Sequence, residues 1–161
     1  MKCKTVLELG SGTGFVGIAA SILGARETIL TDLEYTLDLM NQNISLNQNL
    51  LQPCTKLKSM VCDWFDPLHI SLFEFSSTNP EVILVADCVW IAELVDPLIN
   101  TLGKYCNKNT EVIISYQQRG KSAHEKFWKG LEQLFSSVDI IETGEIGLNK
   151  PESLSLITCR K

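Results

Sequence analysis

Apolar positions along this chain fall into two rhythms: short continuous runs, and longer stretches where they recur every three or four residues. Residues 6–9 form the first run and predict a buried strand; residues 15–23 predict a tightly packed helix behind it. Residues 28–31 predict a second strand ending at Asp32, after which Leu33, Leu37, Met40 and Ile44 keep helical spacing. Residues 57–62 read as a third strand, and residues 63–80 as a long irregular loop rich in aromatics. Residues 82–86 are apolar throughout, as in a strand covered on both faces of a parallel sheet. Asp96-Pro97 reads as a helix cap with proline at the first helical position, followed by an apolar face of Leu98, Leu102 and Tyr105. Residues 112–116 predict a fifth strand, and Phe127, Leu131 and Leu134 another helix. Residues 138–141 and 154–159 finish as strands with no obvious helix between them, which predicts an antiparallel edge hairpin. The order implies one doubly wound α/β domain over residues 1–161, with a seven-stranded, mostly parallel sheet.

Where the first strand meets the first helix the sequence is Val-Leu-Glu-Leu-Gly-Ser-Gly-Thr-Gly, residues 6–14. Glycine takes positive φ without penalty, and its missing Cβ lets backbone touch a ligand. The amino terminus of the following helix turns free N–H groups toward the same place. Glu8, two residues before the first glycine, adds a carboxylate. Together Glu8, Gly10, Gly12 and Gly14 suit a ligand carrying both an adenosine and a cationic amine, which points to S-adenosylmethionine (AdoMet). Gly12, Gly14 and Gly17 also spell the dinucleotide pattern GxGxxG, with Asp32 near the place of its ribose carboxylate. Register favours AdoMet: counted from Gly10, which directly follows the strand, the third glycine position is Phe15, and Glu8 would repel a pyrophosphate.

In doubly wound sheets the ligand lies beyond the carboxyl ends of the strands, so the first four strand ends are expected to line one pocket. Asp32 can accept from both ribose hydroxyls; its plainer role is to start a turn. Asp63 can accept from an adenine amino group and Trp64 can cover the ring, the plain alternative for Trp64 being a core anchor. Asp87-Cys88-Val89-Trp90 follows the fourth strand, where a methyl acceptor would stand. A carboxylate and an aromatic three residues apart can surround an amine, with cation–π attraction of up to about 2 kcal/mol once water is excluded. An Asn-Pro-Pro-aromatic sequence, which would suit a base or amide nitrogen, is absent there.

Composition narrows the classes. Apolar residues make up 45% of the 161 residues and charged ones 20%, a globular balance. A net charge of −5 without a Lys/Arg cluster argues against a nucleic-acid partner and is compatible with a basic protein surface. The six cysteines show no CxxC, and His69 and His124 have no cysteine beside them, so no metal is expected. Scattered thiols fit a reduced, cytoplasmic or nuclear setting. No apolar stretch approaches 18 residues, so no membrane helix is expected.

With these motifs in place, the chain resembles the seven-β-strand protein-lysine methyltransferases, a Rossmann-like methyltransferase family. Within them it looks closest to the branch acting on valosin-containing protein, a hexameric AAA ATPase. The resemblance rests on residues 6–14, Thr31-Asp32-Leu33-Glu34, the Asn-rich helix end at residues 40–47, and Ala86-Asp87-Cys88, and weakens after about Tyr116. It implies AdoMet contacts at Gly10, Ser11, Gly12, Asp32, Trp64 and Ala86, with S-adenosylhomocysteine as product. It also implies catalytic positions at Asp87 and Trp90, and a protein substrate of the AAA ATPase or chaperone kind. A small-molecule methyltransferase and a non-catalytic binding module on the same sheet are the alternatives. Two departures stand out. The family's acidic-x-x-aromatic motif usually ends in tyrosine or phenylalanine, where this chain has Trp90. Its relatives also carry an amino-terminal segment ahead of the first strand, with an aromatic over the cofactor. Such a segment is absent from these residues, and weaker AdoMet binding is the expectation.

Overall fold

The structure is a computed structural model that describes residues 1–66, 80–141 and 154–161. Seven strands alternate with four helices: β1 (Thr5–Leu9), α1 (Phe15–Ile22), β2 (Glu27–Asp32), α2 (Leu37–Asn47), β3 (Lys56–Val61), β4 (Val82–Ala86), α3 (Val95–Tyr105), β5 (Glu111–Gln117), α4 (Lys121–Leu134), β6 (Ser137–Ile141) and β7 (Leu154–Arg160). The strands are ordered β3-β2-β1-β4-β5-β7-β6 in one sheet. The chain divides into two compact units, Met1–Leu84 and Val85–Lys161. No helix among the described residues is long and apolar enough to cross a membrane.

In the first unit, β1 runs parallel to β2, and β2 to β3, with Glu8 opposite Leu30 and Asp32 opposite Val61. All five residues of β1 are buried, Glu8 among them, as expected of the buried strand predicted at residues 6–9. Ile18 of α1, Leu30 of β2 and Met40 of α2 form a core into which Ile22, Leu37, Ile44 and Leu57 fit their apolar faces. One detail differs from the periodic reading. Leu33 lies outside α2, in extended conformation before a 3-10 turn at Glu34–Thr36, because Asp32 Oδ1 accepts its N–H at 2.7 Å and holds the chain out of the helix.

Close packing in this unit depends on one glycine. A Cβ at Gly17 of α1 would stand 2.1 Å from Leu30 Cδ2 and 2.6 Å from Glu8 Oε2, both on fully covered side chains. The helix therefore sits on β1 and β2 only because this position is bare. Gly17→Ala is expected to lower unfolding free energy by about 2 kcal/mol through overpacking, measurable as a drop in urea midpoint at unchanged slope.

In the second unit, β7 runs antiparallel to both β5 and β6, with Ile157 opposite Ile114 on one side and Ile140 on the other. The expected antiparallel edge is present, with β7 inserted and β6 outermost. The β6–β7 connection, residues 142–153, lies outside the described residues, as do residues 67–79 of the predicted aromatic loop. β5 alternates as a half-covered strand should, burying Val112, Ile114 and Tyr116. α3 buries Val95, Leu98, Leu102 and Tyr105, and α4 buries Ala123, Phe127 and Leu131. The helices approach at Gly130, where a Cβ would meet Ile99 Cγ1 at 2.7 Å. Asp96 is not the cap of α3 as the sequence suggested: a 3-10 turn at Ala92–Leu94 feeds straight into the helix, and Leu94 occupies the cap. Asp96 and Pro97 lie in the first turn instead. There a missing N–H costs nothing and a carboxylate opposes the helix dipole, and Asp96 pairs with Lys126 of α4 at 2.7 Å.

Candidate functional site

The first unit carries the glycine turn. Gly10, Gly12 and Gly14 take φ of 66°, 54° and 80°, in the left-handed region that side chains rarely adopt. At Gly12 a Cβ would meet nothing within 4 Å, so the middle of the turn opens to solvent as a bare backbone surface. Gly14, by contrast, is packed, with Leu30 Cδ1 2.8 Å from where its Cβ would be. The turn is tied to β2 on both sides: Ser11 N–H donates to Thr31 O at 2.9 Å, and Thr31 N–H donates to Ser11 Oγ at 2.9 Å. Ser11 is thus buried and spends its hydroxyl on extending the strand ladder.

Asp32 stands at the end of β2, half-buried, with Oδ2 accepting from Gly12 N–H at 2.7 Å and Oδ1 from Leu33 N–H at 2.7 Å. Each oxygen retains a second acceptor direction. Asp32 therefore both shapes the turn and presents a carboxylate beside its open part. Asp63 begins the turn after β3, its Oδ1 accepting from Phe65 N–H at 2.9 Å. Trp64 is half-buried there, while Phe65 is largely exposed.

Glu8 is the fourth residue of β1. Its side chain is only 2% exposed, and Oε2 accepts the N–H of Gly17, in the first turn of α1, at 3.0 Å. Burial pushes its carboxyl up to about 7; Ser11 and the Gly17 N–H pull the other way, and the charge of Asp32 adds to the rise. An N–H of the helix amino terminus, the place where a pyrophosphate would otherwise dock, is occupied by the chain's own carboxylate. That favours the AdoMet register over the dinucleotide one.

The pattern did not single out Asn43. Its Nδ2 donates to Thr13 O at 2.8 Å, tying α2 to the glycine turn, and Asn47 in turn donates to Asn43 O at 2.8 Å. The signal was present in the asparagine run of residues 41–47, since asparagine is a poor helix former and needs another reason to be there.

The second unit carries the acidic-x-x-aromatic segment. Ala86, half-buried, ends β4, and its carbonyl lies 3.4 Å from Cys88 Sγ. Asp87 takes φ 55°, a left-handed conformation at a non-glycine residue. Its N–H donates to Ser115 O of β5 at 3.0 Å, and its carboxylate pairs with Arg119. The Trp90 side chain is 55% exposed, so it is not spent as a core anchor. Behind the segment, Tyr116 OH and His124 Nδ1 share a hydrogen bond of 2.7 Å within an aromatic cluster with Phe127 and Trp128. Burial pushes the Tyr116 phenol up.

With a bare left-handed turn gripped by a strand-end carboxylate, the chain matches known proteins consistently. Solved structures with this fold include a ribosomal protein L11 methylase from Lactobacillus delbrueckii subsp. bulgaricus, with TM-score 0.65, 22% identity, and coverage of 100% of this chain and 72% of that one. A TehB-like SAM-dependent methyltransferase from Corynebacterium glutamicum aligns at TM-score 0.68 and 18% identity, covering 100% and 82%. Among curated relatives, protein N-lysine methyltransferase METTL21A of Mus musculus is 34% identical over 119 residues, 73% of this chain and 50% of its own length. EEF1A lysine methyltransferase 3 of Xenopus tropicalis is 29% identical over 155 residues, 96% of this chain and 63% of its own. The chain thus spans about half to two thirds of the length of these relatives. The model of one family, described as lysine methyltransferase, matches residues 1–134, and the chain belongs to that family.

Proposed function

We propose that this chain binds AdoMet and directs its methyl group to the side-chain amine of a protein lysine, leaving S-adenosylhomocysteine. The observation that carries the reading is the open glycine turn with Asp32 fixed on it: backbone without side chains for a flat nucleoside, and a carboxylate with spare lone pairs for its sugar hydroxyls. These are the residues that would hold the cofactor. Trp64 and Asp63, following β3, are the candidates for the adenine. When bound, AdoMet supplies an activated methyl, so that an amine lone pair forms the N–C bond as the C–S bond breaks and its electron pair returns to sulfur.

The chain's own task is to prepare the amine. Lysine has a reference pKa near 10.4, and freeing its nitrogen at pH 7 costs roughly 4–5 kcal/mol. Asp87 accepts a hydrogen bond from the amine and aims the lone pair; Trp90 offers a π face to the same nitrogen. The proton is lost to bulk solvent in the ammonium–amine equilibrium before transfer, and Asp87 orients the free amine rather than serving as its base. Positioning the amine in line with the C–S bond then supplies most of the acceleration.

The substrate class is a protein, as family membership supports. The resemblance points to an AAA ATPase or chaperone and the scattered thiols to the cytoplasm, while the relative named as an EEF1A lysine methyltransferase also supports a protein acceptor. Incubating the protein with tritiated AdoMet and a cell lysate tests the reading directly. Labelled protein bands whose label survives as methyl-lysine after hydrolysis are the expected result. Label confined to small molecules would replace the proposal with a small-molecule enzyme, and no label despite AdoMet binding would leave a binding module. Asp32→Asn is expected to weaken AdoMet binding about ten-fold by calorimetry, the loss of one charged acceptor, with melting temperature as the folding control.

A further inference from the structure

Asp87 makes two contacts that together describe a clasp. Its N–H is bonded to Ser115 O, and one carboxylate oxygen, Oδ2, pairs with Arg119 Nη2; Oδ1 has no hydrogen bond among the described residues. Arg119 follows β5 by two residues and precedes Gly120, the cap of α4. The side chains are 54% exposed for Asp87 and 47% for Arg119, so the pair is open to solvent on one side.

The neighbouring charges are engaged elsewhere. Lys121 pairs with Glu125 at 3.7 Å, Lys126 pairs with Asp96 at 2.7 Å, and His124 is bonded to Tyr116. Glu93 is exposed on the 3-10 turn that follows Trp90. Among the described residues, Arg119 is the cation that faces Asp87.

We infer that Arg119 is a positioning residue for methyl transfer: it holds Oδ2 so that Oδ1 is presented to the acceptor amine, and its charge keeps Asp87 from trapping that amine as ammonium. This rests on the lysine methyltransferase reading above. A lone carboxylate beside a lysine favours the charged, unreactive form. A guanidinium on the same carboxylate restores local neutrality while fixing its plane, and stays charged at every accessible pH. The carboxylate then orients the nitrogen and leaves its proton free to go to water. Because the pair is half exposed, screening keeps the electrostatic part modest.

The experiment follows tritium transfer from labelled AdoMet into the protein fraction of a lysate, from pH 6.5 to 9.5, for the wild type, Arg119→Gln and Arg119→Lys. Arg119→Gln is expected to lower the rate about ten-fold near neutral pH. It should also move the rising limb of the pH profile upward by on the order of half a unit. Arg119→Lys, which keeps the charge without the planar fork, should leave the limb at its wild-type pH while recovering only part of the rate. Equal losses in both variants at every pH, with no movement of the limb, would overturn the inference, as would a wild-type profile for Arg119→Gln. AdoMet affinity is expected to be unchanged in both. A wild type that labels no protein lysine fails the functional reading itself and the inference with it.

Discussion

Asp87→Asn is expected to reduce lysine methylation by roughly 10²-fold or more while AdoMet still binds with near wild-type affinity. The amide keeps the size and one acceptor, but an Asn has no charge to draw the amine and no reason to stay on Arg119. Its backbone place is secure, because asparagine tolerates the left-handed conformation found at φ 55° as well as aspartate does. The N–H to Ser115 is also independent of the side chain. The substitution therefore separates chemistry from folding more cleanly than alanine would. Calorimetry for AdoMet, a melting curve and tritium transfer together decide it. Unaltered transfer would remove Asp87 from the site, whereas joint loss of binding and melting temperature would mean that the strand end had collapsed.

How much of this was legible beforehand depends on the range of the interaction. β4 was read to the residue, because a strand covered on both faces must be apolar throughout. The glycine turn was equally readable, since left-handed backbone leaves few choices of residue. Partners remote in sequence were not. Arg119 stands 32 residues from Asp87 and Asn43 stands 30 from Thr13, and no local pattern links either pair. Leu33 satisfied the helical period yet lies outside α2, because an aspartate one residue earlier captures its N–H; periodicity counts apolar places and is blind to such local competition. Glu8 is the instructive case. Its spacing suggested an electrostatic task toward a ligand, but spacing carries no information on which way a buried carboxylate turns. The three-dimensional packing around Gly17 turned it onto the helix.

That packing gives Glu8 a measurable signature. Its carboxyl is raised from 4.5 to about 7 in the folded chain, chiefly by burial. A group that holds its proton more tightly when folded makes the native state bind more protons than the unfolded one across that interval, so stability falls as pH rises through it. Below about 4.5 both states are protonated and the group contributes no cost. Above about 7 both are ionised, and the full cost is present, on the order of 3 kcal/mol for a shift of this size. Glu81 is shifted the opposite way, chiefly by the backbone N–H of Thr5, so its stabilisation fades only below 4.5 and does not confuse the window. Glu8→Gln should therefore flatten the fall in unfolding free energy between pH 4.5 and 7, because an amide keeps the acceptor for Gly17 N–H and cannot ionise. Urea unfolding at half-unit steps of pH measures the slope. A variant that retains the wild-type slope would place the titration on another group. One that loses the slope but binds AdoMet as tightly as before would make Glu8 the anchor of α1 rather than a ligand contact.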